Sequence, residues 1–388
     1  MMWEEDSPGT ERVNVATKTH RISETIIIHK DPYAYVSHPS IVVLANGDWL
    51  AGFNHTRRSV KIMHPGDDPL YRTLLCRSRD HGRLWDAPWF APDFDWYGTN
   101  CPGLTCLRDG TVLVNEFRFA WYPLGMAKQR RAAGEEIAIN THRQIWTTDF
   151  DEADWGRTVN PWARGVRGTY VHVSRDGAET FEESVEIDCT PYRPGATRTG
   201  AAELADGRVI LAMNEVRSGP DARAVFAVTS ADGGRTWGPP VLVTANADRA
   251  FSEPCLVEVT PGEILCVLRH TPEHRLYTSR STDAGATWNA PEPTPMDGLP
   301  GHVIRLADGR LLCSYGRRKD PFGIRMCLSA DGGRSWLIDD EIVVRDDLPN
   351  GDLGYATAIE YEPGRPFVCY YCQDDGTTCV QGTWVDLA

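Results

Sequence analysis

The chain has 388 residues, 41% of them hydrophobic and 24% charged, the balance of a folded globular protein. Its formal net charge of −14 argues against a nucleic-acid partner, though a local basic pocket is compatible with it. No apolar run approaches the ~18 residues that a membrane-spanning helix needs, so no membrane partner is expected.

Residues 1–20 are polar and acidic and lack the basic-then-apolar order of a secretory signal. They read as an N-terminal tail on a cytoplasmic protein. The eleven cysteines fit that compartment, because their number is odd and most lie in apolar runs, where a thiol acts as a small hydrophobe. Cys369 and Cys372 have C-x-x-C spacing, but no second such pair accompanies them, so no metal or other cofactor is expected there.

After the tail, residues 22–29 (ISETIIIH) are strand-like and have no neighbour in sequence to pair with. From His38 a pattern begins that recurs six times: an apolar run, a tight turn with glycine, and a second apolar run. The turns are Asn46-Gly47, Asp109-Gly110, Asp206-Gly207, Pro261-Gly262, Asp308-Gly309 and Pro363-Gly364. Asn-Gly and Asp-Gly between apolar runs are strong hairpin signals. Five of the hairpins are followed by a second motif, Ser-x-Asp-x-Gly-x-x-aromatic: SRDHGRLW, SRDGAETF, SADGGRTW, STDAGATW and SADGGRSW. Its aspartate is suited to accept backbone N–H groups, its glycine to take a positive φ, and its aromatic ring to cap a sheet. A turn repeated on five hairpins is structural, since five copies cannot all reach one active site.

Short antiparallel sheets repeated at this period predict an all-β fold, a six-bladed β-propeller of four-stranded sheets. The sixth hairpin lacks the boxed turn, so ISETIIIH is expected to supply its outer strand and close the ring. Residues 21–388 are then a single propeller domain. The stretch from about 120 to 168, between the second hairpin and SRDGAETF, reads as an irregular insertion rich in tryptophan. It is either packed edge structure or a rim that meets a sugar or a second copy of the chain.

Function is sought where equivalent repeats diverge. Counting nine residues back from each turn glycine gives His38, Cys101, Arg198, Glu253, Pro300 and Tyr355. These positions begin the innermost strands, which converge on one mouth of a propeller. A set containing His, Arg, Glu and Tyr suits a polar ligand. His302, two places after Pro300, faces the same side, and Arg57, Arg118, Arg217, Arg269 and Arg317 stand just past the second strands. His38, His55 and His64 are close enough in sequence to form a candidate zinc set.

Boxed turns on such a propeller resemble the sialidase (neuraminidase) superfamily of glycoside hydrolases, along nearly the whole chain. Two stretches carry the resemblance: Glu253 with Arg269 at the end of the same hairpin, and Tyr355 with Gly364 and Tyr370. The resemblance implies that Tyr355 is a nucleophile and Glu253 the base that takes its proton, since a phenol of pKa ~10 attacks poorly unaided. A neutral phenol does not repel a sugar carboxylate as a carboxylate nucleophile would. Arg269 would grip that carboxylate with Arg318 or Arg325, and Asp68 (or Asp67) would be the acid/base. His38 stands where the family carries the first carboxylate-binding arginine, and it cannot make the same two-pronged contact.

The expectation is therefore a sialidase-like exo-glycosidase acting on a small-molecule or oligosaccharide substrate that ends in sialic acid or a related acidic sugar. One rival is a uronate lyase, with His38 or His302 and Tyr355 abstracting a proton beside a carboxylate. The other is a non-catalytic carbohydrate-binding propeller.

Overall fold

The computed structural model describes residues 20–58, 69–92, 97–141, 146–182, 184–215, 223–246 and 251–388. The described residues form an all-β propeller of antiparallel sheets. Each of the six glycine turns takes a positive φ, from 74° at Gly364 to 91° at Gly309, a range that disfavours any residue with a Cβ.

The expected plan of six equal four-stranded blades, the last closed by an N-terminal strand, is corrected by the sheet topology. Five sheets are blades folded from one continuous stretch of chain each. The remaining sheet is a composite in which strands Gly354–Glu362, Arg365–Asp374 and Thr377–Asp386 run on into Arg21–Lys30, from the other end of the chain. Two of the five contiguous blades also depart from four strands. The second has six, because strands Val112–Pro123 and Trp162–Ser174 outgrow the repeat and recruit Ile137–Asn140 and Trp146–Thr147. The third has five, because its inner strand is broken into Gly195–Ala196 and Ala202–Glu203. At the break Gly200 packs so closely that a Cβ there would lie 2.1 Å from the Leu104 carbonyl oxygen.

The stretch from 120 to 168 is likewise more regular than its sequence suggests. Beyond the strand extensions it contains a helix, Leu124–Ala132, of good helix formers, with Arg130 and Arg131 in the last turn where the helix dipole favours cations. Ala127 of the helix is buried with Tyr122, Ile137, Ile139, Phe150 and Trp155 in a small core of their own.

The main core lies between neighbouring sheets. Leu312, Ile324 and Met326 of the fifth blade, for example, pack on Ala356, Val368 and Tyr370 of the composite sheet. The boxed turns close the outer ends. Ser78 Oγ donates to Asp80 Oδ1 (2.8 Å) and accepts the Gly82 N–H (2.8 Å), while Asp80 accepts the N–H groups of Arg83 (3.1 Å) and Leu84 (2.8 Å). The two serine bonds recur at Ser174, Ser230, Ser281 and Ser329. Gly82 has φ +85°, and a Cβ there would lie 2.4 Å from the Trp49 ring.

Candidate active site

Four of the six positions found by counting back from the turn glycines share a backbone feature. His38, Cys101, Glu253 and Tyr355 have φ of 53°, 51°, 49° and 49°, the left-handed region that residues with a Cβ rarely enter. Each sits in a β-bulge, where the strand register slips between Ser37 and Ser40, Asn100 and Gly103, Ser252 and Cys255, and Gly354 and Thr357. A bulge re-aims a side chain that simple alternation would send to a blade face. The strain costs on the order of 1–3 kcal/mol per residue. Hydrogen bonds from the preceding blade offset part of it: Asn54 Oδ1 accepts the Cys101 N–H (2.8 Å) and Asn214 Oδ1 accepts the Glu253 N–H (2.9 Å).

The re-aimed side chains meet. The Tyr355 hydroxyl donates to Glu253 Oε1 at 2.5 Å, and Arg269 Nη1 donates to Glu253 Oε2 at 2.6 Å and to the Tyr355 oxygen at 3.3 Å. Tyr355 is 4% exposed, while the Glu253 and Arg269 side chains keep 18% and 15% of their surface in solvent. A phenol is thus held at the floor of the mouth with a carboxylate and a guanidinium at its rim. Burial and the Glu253 charge push the Tyr355 phenol well above its usual range, against the pull of Arg269 and Arg318. Burial works against the Glu253 charge, yet the neighbouring Arg269 and Arg198 charges hold this carboxylate below its ordinary value. A buried phenol hydrogen-bonded to an ionised carboxylate is a proton donor with its acceptor in place.

The walls come from the ends of the chain. His38 stands edge-on to the Tyr355 ring, with centroids 4.2 Å apart, and its Nδ1 lies 2.7 Å from Ser37 Oγ and 3.4 Å from the Tyr71 hydroxyl. Arg318 has its guanidinium 5.5 Å from the Tyr355 ring and donates to the Leu353 carbonyl (3.0 Å) and the Tyr371 hydroxyl (3.5 Å). Asp352 accepts from Tyr35 (2.7 Å), Tyr371 (3.1 Å) and Gln373 (3.1 Å) and holds two phenols against the mouth. Arg198 lies beneath, 1% exposed, with its guanidinium carbon 4.0 Å from the centre of the Tyr355 ring. His302 accepts the Ala358 N–H at Nδ1 (3.2 Å), and burial, with the Arg198 charge, pushes its pKa down to about 3.

Tyr355, Glu253, Arg269, Arg318, Arg198, His38 and His302 are therefore gathered in one region, whereas Arg325 and Arg57 lie elsewhere, Arg118 stacks on Tyr170 and Arg317 pairs with Asp297 (3.7 Å). Arg325 is 4% exposed, sits 3.4 Å from Glu341 and donates to the Ile324 carbonyl (3.2 Å) inside its own blade. Arg57 lines a separate surface groove with Asp31, Tyr33, His55, Leu70 and Phe90. Asp67, Asp68, His64 and Arg217 lie outside the described residues. Among the described residues no group of three or more His, Cys, Asp or Glu side chains could hold a metal ion, and His55 bonds Asp31 (3.2 Å).

Sequence reasoning passed over Asp352, Tyr35 and Tyr371. Tyr371, not Tyr370, is the hairpin-end aromatic near Tyr355, with ring centroids 6.0 Å apart; the Tyr370 hydroxyl bonds Thr383 (2.9 Å) instead. A signal was present: Tyr35 and Asp352 both stand three residues before a bulge residue, His38 and Tyr355.

Among solved structures the chain is similar to a protein of unknown function from Dyadobacter fermentans, with 23% identity and a TM-score of 0.78, over 95% of this chain and 99% of that one. It is also similar to a variant of the NanB sialidase from Streptococcus pneumoniae, with 14% identity and a TM-score of 0.65, over 93% and 70% of the two chains. The intramolecular trans-sialidase from Ruminococcus gnavus matches with 14% identity and a TM-score of 0.61, over 92% and 96%. At these identities the likeness shows the fold. A search of the curated proteins finds no sequence match. The family described as BNR repeat-like domain matches residues 155–368, more than half of the chain, and the protein belongs to that family.

Proposed function

We propose that the protein is a sialidase-like exo-glycosidase that hydrolyses a terminal acidic sugar, with Tyr355 as nucleophile and Glu253 as its base. The observation that carries this reading is the 2.5 Å hydrogen bond from the Tyr355 hydroxyl to Glu253, with Arg269 bridging both oxygens. As the Tyr355 oxygen attacks the anomeric carbon, Glu253 Oε1 takes its proton and the bond to the aglycone breaks. The aglycone oxygen takes a proton from an acid, the role proposed for Asp68. Water then attacks the same carbon and gives a proton to that group's conjugate base. The electron pair of the carbon–oxygen bond returns to Tyr355, which recovers its proton from Glu253.

Arg269 and Arg318 would receive the substrate carboxylate, a planar anion matched to guanidinium donors. His38 in the first blade would leave that grip one arginine short of the sialidase pattern. This favours an acidic sugar related to sialic acid over sialic acid itself.

The test is release of the aryl group from chromogenic glycosides of sialic acid and of hexuronic acids. The Tyr355→Phe variant is expected to lose at least ~10³-fold in kcat/KM, since it removes the nucleophilic oxygen. Full activity in Tyr355→Phe would overturn the assignment. An ultraviolet-absorbing unsaturated product would point to lyase chemistry instead.

A further inference from the structure

Arg198 has a place that substrate binding leaves unexplained. It is 1% exposed, and neither its Nε nor its Nη1 has a hydrogen-bond partner. Its segment is clamped on both sides: Asn115 Nδ2 donates to Thr197 Oγ1 (2.8 Å) and to the Thr199 carbonyl (3.0 Å), and Thr199 Oγ1 donates to the Pro254 carbonyl (3.2 Å), next to Glu253. A permanently charged, under-satisfied guanidinium is thus locked 4.0 Å from the centre of the Tyr355 ring. A buried cation with unpartnered N–H groups is expensive to keep, and the aromatic ring it lies against is that of the candidate nucleophile.

We propose that Arg198 is a positioning residue that acts through Tyr355, stabilising its phenolate from beneath the ring. This rests on the nucleophile reading above and deepens it. Ionising a phenol spreads negative charge into the ring, so a guanidinium against the face attracts the phenolate more strongly than the neutral phenol. The effect acts twice, when Glu253 takes the proton and the oxygen attacks, and when the carbon–oxygen bond of the glycosyl-enzyme breaks and its electron pair returns to Tyr355. The second step gains most, because there the phenolate is the leaving group. Glu253, Arg269, Arg318, His38, Cys101 and Tyr371 also face the Tyr355 side chain. Of these, Arg269 and Arg318 are the other cations, and both stand where substrate would meet them.

The experiment compares wild type, Arg198→Met, Arg198→Lys and Tyr355→Phe on an aryl glycoside with a good leaving group, with folding checked by thermal melting. Arg198→Met is expected to lower kcat about 30-fold, the worth of a desolvated cation–π contact. KM should fall with it, and a burst of aryl release should appear as glycosyl-enzyme accumulates. The alkaline limb of kcat/KM should move up in pH. Without substrate, the ¹³Cζ resonance of Tyr355, identified by its loss in Tyr355→Phe, should shift. Arg198→Lys should keep activity within about tenfold of wild type. If Tyr355→Phe is inactive while folded Arg198→Met keeps wild-type kcat, pH profile and ¹³C shift, the inference is overturned and the nucleophile reading survives. Should Arg198→Met not fold, a folded Arg198→Lys as inactive as Tyr355→Phe overturns it. Full activity in Tyr355→Phe removes both.

Discussion

Replacing Glu253 by glutamine changes one atom and removes one charge, and the structure says what should follow. The carboxylate accepts from Arg269 at 2.6 Å and from Tyr355 at 2.5 Å, and Arg198 adds its charge from below. Glutamine can keep one acceptor, but Arg269 then loses the charge that holds its proton most firmly. Breaking a fully buried pair costs ~3–5 kcal/mol. With 18% and 15% of the two side chains still in solvent, about 2–4 kcal/mol is expected here. For 388 residues the unfolding entropy is roughly 0.8 kcal/mol per kelvin, so Tm should fall by ~2–5 °C. Loss of the base should lower kcat by ~10²–10⁴-fold, and most of that should show in kcat/KM as well. Differential scanning calorimetry and aryl-glycoside release read the two effects separately. An unchanged Tm together with unchanged kcat/KM would refute the claim that this carboxylate organises the site.

Arg318→Ala should raise KM for an acidic aryl glycoside by ~10-fold or more with little change in Tm, whereas Arg325→Ala should lower Tm and leave KM alone. The reverse pattern would exchange their roles. His302, whose folded pKa is about 3 against an ordinary 6.5, binds its proton more readily in the unfolded chain. Its contribution to stability is therefore complete above pH ~6.5 and lost as pH falls toward ~3. Tm measured across that window should fall less steeply in His302→Gln than in wild type, and parallel curves would refute the assignment.

The repeat was legible because its physical demands recur. A two-residue hairpin needs a residue of positive φ, and the glycines that supply it gave the register of every inner strand except the broken one. The composite sheet was harder to read, since its pairing joins Arg21 to Asp386, two ends that no local pattern connects. The third blade's break at residues 197–201 was hidden because its sequence keeps the hairpin rhythm while Gly200 is pressed against Leu104. Arg318 and Arg325 were indistinguishable by spacing. They separate in space because Arg325 lies within strand Gly323–Ser329, paired opposite Tyr315, whereas Arg318 follows strand Leu311–Arg317 and bonds Leu353 and Tyr371. Asp352 was missed because it lies in the loop before the counted position, where composition alone reads as a solvated turn.

The count of nine residues from each turn glycine succeeded for a reason beyond register. A bulge at a fixed distance from the turn turns one side chain per sheet out of the pleat, and four of the six counted residues take that conformation. Three of them converge on the fourth, Tyr355. His38 stands 4.2 Å from the Tyr355 ring, Cys101 packs in the same buried cluster, and Glu253 holds the hydroxyl at 2.5 Å. The third blade has no such bulge, yet its broken strand brings Arg198 to 4.0 Å from the same ring. Pro300 is the exception, and there His302, two residues on, bonds the Ala358 backbone three residues past Tyr355. Backbone strain repeated in sheets far apart in sequence, and directed at one phenol, is hard to explain by stability, since each instance costs free energy that a regular strand would not. It is explained if that phenol is what the propeller is built to hold.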